Sequence, residues 1–242
     1  MILDIEYKSY RKKDDIYGTV LYPAVMVAPV QKAVLSKVIK KEEVKSIFDP
    51  FVGSGTSLYE ASELCEGVKL IGCDINPLAF LITKTKLDGI TLKTFDKEIN
   101  RIEHIIKNDQ SKSIHKFNNS EKWFREDIAI DLTKIRRAIK SVDTTENRNY
   151  FWCIMSDIVR KYSNTRSSTY KLHIKKTEDI ERMENNVIRD FIYYARESSH
   201  QYLNRNNNYY LYKKDSLELM KSFTDNSIDI VITSPPYGDN AT

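Results

Sequence analysis

The sequence predicts an α/β fold: the first half of a doubly wound parallel sheet, interrupted by a helical insertion. Three observations predict it. Two short apolar runs, 46–49 and 69–74, each end in an acid and lead through a turn into a helical pattern. The chain from Thr94 to Asn208 lacks glycine, is dense in charge and reads as helix. A sheet-like pattern then returns at Tyr209.

The elements follow in order. Residues 16–45 read as a short extended segment and then a helix, with Val30, Val34, Val38 and Ile39 at helical spacing. Ser46-Ile47-Phe48-Asp49 reads as a buried strand, and Phe51 to Thr56 as a glycine–serine turn. Leu58, Ala61, Leu64 and Cys65 mark the next helix, and residues 69–74 a second buried strand. Asn76-Pro77 suits the cap and first position of a helix running through Leu78, Leu81 and Ile82. In the middle of the chain, Leu132, Ile135 and Ile139, then Ile188 and Ile192, mark amphipathic stretches separated by a polar break, Ser163 to Ser168. Tyr209 to Tyr212 reads as a strand, Leu217 to Met220 as a short helix, and Ile228 to Thr233 as a buried strand running into Ser234-Pro235-Pro236-Tyr237.

Composition narrows the function. The chain has 242 residues, 41% hydrophobic and 30% charged, with no apolar run near the ~20 residues of a membrane helix and no signal-peptide core at its start. A cytoplasmic location follows by default. Cys65, Cys73 and Cys153 fit no zinc ligand set, and their odd number argues against a disulfide framework. Residues 100–214 hold 23 Lys and Arg against 15 Asp and Glu, a net +8; the rest hold 15 against 19, a net −4. A basic middle suits a polyanion, or equally a solvated helical face.

Four motifs carry chemistry. In Asp49-Pro50-Phe51-Val52-Gly53-Ser54-Gly55-Thr56, Gly53 and Gly55 would let a ligand approach the backbone, and the helix start favours a carboxylate or phosphate. The turn is not a dinucleotide fingerprint, because position 58 is Leu, and it lacks the Gly-Lys-Ser/Thr of a phosphate loop. Asp74 is placed to accept from ribose hydroxyls, with Ile75 and Asn76 flanking a base; the other reading is a cap on the helix at Pro77. Asp215, after the third strand, faces an adenine amino group or caps the helix that follows. Thr233-Ser234-Pro235-Pro236-Tyr237 is rigid, presents acceptors, and offers a flat ring to a base.

Taken together, Asp-Pro-Phe-x-Gly-Ser-Gly-Thr, Asp-x-Asn-Pro and Thr-Ser-Pro-Pro-Tyr resemble the amino-group DNA methyltransferases of bacterial restriction–modification systems, which modify cytosine N4 or adenine N6. The Ser-Pro-Pro-Tyr variant is closer to the N4-cytosine members than to the Asp-Pro-Pro-Tyr adenine enzymes. Tyr22-Pro23-Ala24-Val25-Met26 resembles a segment that meets the methionine end of the cofactor in permuted members. The resemblance implies a partial Rossmann-like sheet binding S-adenosyl-L-methionine. Residues 1–93 would be the cofactor-binding half, 94–208 the helical insertion, and 209–242 the return to the sheet with the catalytic motif.

It assigns the cofactor to Asp49, Phe51, Gly53, Gly55, Thr56, Asp74, Ile75, Asn76 and Asp215, and catalysis to Ser234, Pro235, Pro236 and Tyr237, with no metal. Double-stranded DNA is the implied partner, its target base rotated out of the stack. Arg160, Lys161, Arg166, Lys171, Lys175 and Lys176 around the polar break suit phosphate contacts, or form an ordinary charged helix–loop–helix. Cytosine C5 chemistry would need an activated thiolate, typically in a Pro-Cys pair, and no cysteine here follows a proline. Families acting on RNA or protein amines more often carry Asn-Pro-Pro-Tyr.

The family sheet has seven strands and four are legible here. The expectation is therefore a part of a longer enzyme, or a chain completed by a second polypeptide, weak or inactive alone and prone to self-association through an exposed final strand.

Overall fold

The computed structural model describes residues 16–18, 20, 22, 26–39, 43–166, 172–203 and 208–234. These divide into two compact units, one drawn from the described residues within 16–18, 22–88 and 208–234, the other from residue 20 and the described residues within 89–203.

The first unit opens on a 3-10 turn, Ile16–Gly18, where an extended segment was expected; Ile16 and Tyr17 bury their side chains in it. Then come α1 (Ala28–Ile39), β1 (Ser46–Asp49), α2 (Thr56–Leu64), β2 (Lys69–Cys73) and α3 (Pro77–Asp88). The second unit holds α4 (Leu92–Asn108), α5 (Ser120–Trp123), α6 (Glu126–Lys140), α7 (Thr145–Tyr162), α8 (Thr177–Glu181) and α9 (Val187–Glu197). The chain returns to the first unit with β3 (Tyr209–Tyr212), α10 (Ser216–Met220) and β4 (Ile230–Val231).

The four strands form one parallel sheet in the order β3-β2-β1-β4. This is the Rossmann-like α/β arrangement. The chain builds outward from β1 through β2 to β3, then returns to the other side of β1, so the order reverses at β1. In such sheets ligands bind beyond the carboxyl ends of the strands at that reversal. Alternation along the strands sends Ile47 and Leu70 to one core, with Leu35, Leu58, Ala61 and Leu87, and Phe48 and Ile71 to another, with Cys73 and Leu219. Gly72 makes room on β2: a Cβ there would lie 2.4 Å from Val52 Cγ1.

The final strand departs from expectation. A buried strand over Ile228 to Thr233 becomes a two-residue pairing, Ile47↔Ile230 and Phe48↔Val231, and Val231 is 60% exposed. Among the described residues β4 has a neighbour on one side only, so its apolar side chains are half covered. Its approach is held by Asp229, whose Oδ2 accepts from the N–H groups of Lys45 (2.9 Å) and Ser46 (2.7 Å).

The second unit is packed around Ile99, Ile102, Ile135, Ile139, Phe151 and Phe191, with Phe95 stacked on Phe151 at 5.5 Å. On α9 the buried seam is Val187, Phe191 and Ala195, while Ile188 and Ile192 lie one position round and are half-buried. Asn147 is fully buried and bridges the Thr91 N–H and Glu98 Oε2. Among the described residues no helix is long and apolar enough to cross a membrane. Cys65, Cys73 and Cys153 are free thiols.

Candidate functional site

The carboxyl ends of the four strands open on a cavity of about 500 Å³. β1 delivers Asp49, which is only 2% exposed and accepts from the Phe51 N–H at 3.0 Å. The following turn is pinned to β2 by the Val52 N–H on the Cys73 carbonyl (3.1 Å) and closed by the Gly55 N–H on the Val52 carbonyl (2.7 Å). Gly53 and Gly55 both have positive φ, +50° and +76°, a conformation in which other residues are strained.

The two glycines serve different ends. Gly53 lines the cavity, and a Cβ there would come no closer than 3.4 Å, to the Tyr22 ring. At Gly55 a Cβ would stand 2.6 Å from Thr83 Oγ1. Its small size lets α3 approach the turn from behind, and it is not among the residues lining the cavity.

β2 delivers Asp74. Its Oδ2 accepts from the Gly53 N–H (2.9 Å) and its Oδ1 from the Asn76 N–H (2.8 Å). The cap of α3 is Asn76, whose Oδ1 takes the Leu78 N–H at 2.9 Å. Asp74 is thus not the cap, and Asn76, the cap, stands outside the cavity lining. Ile75 lines it with 70% of its surface uncovered, and Phe51 stands at its rim. β3 leads to Asp215, which both lines the cavity and caps α10, its Oδ1 accepting from Leu217 (2.9 Å) and Glu218 (3.2 Å). β4 leads to Ser234, half-buried at the cavity edge. Pro235, Pro236 and Tyr237 lie outside the described residues.

Of the residues picked from the sequence, Asp49, Phe51, Gly53, Thr56, Asp74, Ile75, Asp215 and Ser234 meet at this one cavity. Sequence reasoning passed over Ser57 and Lys214, which also line it, as does Ser216 of the Asp215-Ser216 motif. Their signal was position: each sits next to a strand end or a turn already singled out.

Electrostatics set the character of the site. Burial pushes the Asp49 carboxyl up to about 6, against the opposing hydrogen bond from the Phe51 N–H. The Thr233 hydroxyl is near enough to favour the Asp49 anion, yet at hydrogen-bonding geometry it meets no partner among the described residues. Burial, then the charges of Asp49, Asp74 and Asp215, drives the Cys73 thiol up to about 11. Burial and the Asp74 charge also raise Tyr22, whose hydroxyl accepts from Asn76 Nδ2 at 3.4 Å. Three carboxylates around one cavity favour a ligand carrying positive charge.

The basic residues of the second unit are unequally available. Lys161 Nζ is spent on Asp190 Oδ2 (2.7 Å), and Lys175 Nζ on the Ser163 carbonyl (2.8 Å). Within the polar break Thr165 pairs antiparallel with Ile174 in an isolated bridge, and Arg166 and Lys176 are exposed. Ser167, Ser168 and Lys171 lie outside the described residues.

The sequence is 31% identical, over 242 aligned positions, to "Type II methyltransferase M.MvaI" of Kocuria varians. The alignment takes in 92% of this chain and 53% of that relative, so the chain spans about half the relative's length. No family model matches the sequence.

Proposed function

We propose that this chain, which is similar to one type II methyltransferase along about half of that protein's length, binds S-adenosyl-L-methionine and transfers a methyl group to an exocyclic base amine of double-stranded DNA, cytosine N4 in preference to adenine N6. One observation carries the reading: a glycine turn, Asp74, Asp215 and Ser234 converge on a single cavity at the carboxyl ends of β1 to β4.

The donor set suits such a cofactor. The Asp74 oxygens each accept one backbone N–H and keep lone pairs for ribose hydroxyls. Asp215 commits Oδ1 to the helix cap, which leaves Oδ2 for an adenine amino group. Ile75 and Phe51 offer apolar faces to the ring, while the turn and the start of α2 at Thr56 suit the methionine carboxylate. The surrounding carboxylates suit a cationic sulfonium. When bound, the cofactor supplies an electrophilic methyl group.

The chain's own residues orient the acceptor. Ser234 Oγ takes a hydrogen bond from the base amine, aims the nitrogen lone pair and stabilises the positive charge that develops there. The roles of Pro235, Pro236 and Tyr237, a second acceptor and a stacking face, rest on the motif alone. No cysteine nucleophile is called for, and the raised Cys73 thiol is a poor one.

Transfer of tritiated methyl to DNA, followed by nucleoside analysis, tests this. N4-methylcytosine is expected; label found only in RNA or protein would sink it. Among the described residues β4 pairs on one side only, which favours a second reading, in which the chain binds the cofactor but turns over only once a further polypeptide pairs with that edge. The same assay with the downstream portion of a full-length relative supplied separates the two.

A further inference from the structure

Behind the glycine turn lies a polar pair that the cofactor reading does not use. Thr83 and Lys86, three residues apart, share one face of α3. Thr83 Oγ1 donates to the Gly53 carbonyl (3.1 Å), and Lys86 Nζ donates to the Ser54 carbonyl (2.9 Å). Their exposures are 0% and 2%. The Lys86 Nζ also sits 4.5 Å from the centroid of the Tyr17 ring, whose hydroxyl donates to Glu60 Oε1 (2.8 Å).

A buried lysine is a costly way to fill space, and a residue such as methionine would pack there without desolvating a charge. What lysine and threonine add is direction. A trans peptide is planar, with its N–H opposite its C=O. Drawing the Gly53 carbonyl toward α3 therefore turns the Ser54 N–H the other way, to the side on which Gly53 and Ser54 line the cavity. No α3 side chain lines that cavity. The Lys86 charge, one carbonyl behind the turn, adds attraction for an anion in front of it.

Resting on the cofactor reading above, we propose that Thr83 and Lys86 are positioning residues, which aim the glycine turn at the carboxylate of the methyl donor. They touch no ligand: Thr83 acts through the Gly53–Ser54 peptide, and Lys86 holds the Ser54–Gly55 peptide, whose N–H closes the turn on the Val52 carbonyl.

Two probes isolate the carboxylate: S-adenosylhomocysteine, which has it, and 5′-methylthioadenosine, which lacks the amino-acid end. Both are titrated calorimetrically into the chain. Lys86→Met is expected to weaken S-adenosylhomocysteine about tenfold, the worth of one hydrogen bond to a charged group, and to leave 5′-methylthioadenosine unchanged. Thr83→Val should do the same and Thr83→Ser, which keeps the donor, should restore binding; this pair decides the matter if Lys86→Met fails to fold. Equal losses for both probes, or no loss for either, would overturn the proposal. A parent chain that binds both probes equally would also overturn it. A parent chain that binds neither removes the cofactor reading itself, and this inference with it.

Discussion

Asp74 holds Gly53: the glycine N–H donates to Asp74 Oδ2 at 2.9 Å, so the acid that follows β2 sets the turn that follows β1. One carboxylate thereby shapes two walls of the cavity. Asp74→Ala should lose at least tenfold in affinity for S-adenosylmethionine and about 2 kcal/mol of stability, because it removes charged acceptors from two backbone N–H groups. Calorimetry and urea unfolding read the two effects. A variant that binds like its parent would remove Asp74 from the site.

Gly55→Ala should destabilise the chain more than Gly53→Ala. Both place a Cβ at positive φ, worth about 1–2 kcal/mol, but only position 55 adds a clash, 2.6 Å from Thr83 Oγ1. Thr83→Ala made in the Gly55→Ala background should recover part of the loss. Urea midpoints of the four proteins form the cycle that checks it; equal costs at the two glycines would contradict the packing account.

Asp49 and Asp190 should give opposite pH dependences. Burial raises Asp49 to about 6, so the folded chain holds that proton more tightly than the unfolded one. The resulting stability is complete below about pH 4 and is lost as pH rises through about 6. Relative to Asp49→Asn, the parent should lose about 3 kcal/mol across that interval. Burial pushes Asp190 up as well, but hydrogen bonds from Lys161, Tyr162 and Arg189 prevail and hold it at about 2. Its stabilisation is present above about pH 4 and is lost as pH falls through about 2. Unfolding series of Asp49→Asn and Asp190→Asn against the parent, from acid to neutral pH, test both signs.

The basic residues of the second unit should separate into two kinds. Arg166→Ala and Lys176→Ala, at exposed positions, should weaken DNA binding and each lower the salt slope by about 1. Lys175→Ala should instead cost about 1 kcal/mol of stability, since its Nζ is bound to the Ser163 carbonyl. Binding isotherms over a range of salt, beside urea unfolding, distinguish them. Unchanged slopes for Arg166→Ala and Lys176→Ala would place the DNA elsewhere.

By itself the sequence determined the strand–turn–helix order, the parallel α/β sheet and the residues around the glycine turn. Each of these is written in neighbouring residues: apolar period, positive-φ glycines, an Asn-Pro helix start. Tertiary structure alone decided what lies across the fold. It gave Gly55 to the packing of α3, brought Thr83 to Gly53 thirty residues away in sequence, and set the buried seam of α9 on Val187 and Phe191. It also left Val231 at the edge of the described sheet. The physical reason is the same in each case. Local pattern shows that a residue is apolar or conformationally special, but which surface meets it depends on the packing of elements far apart in the chain.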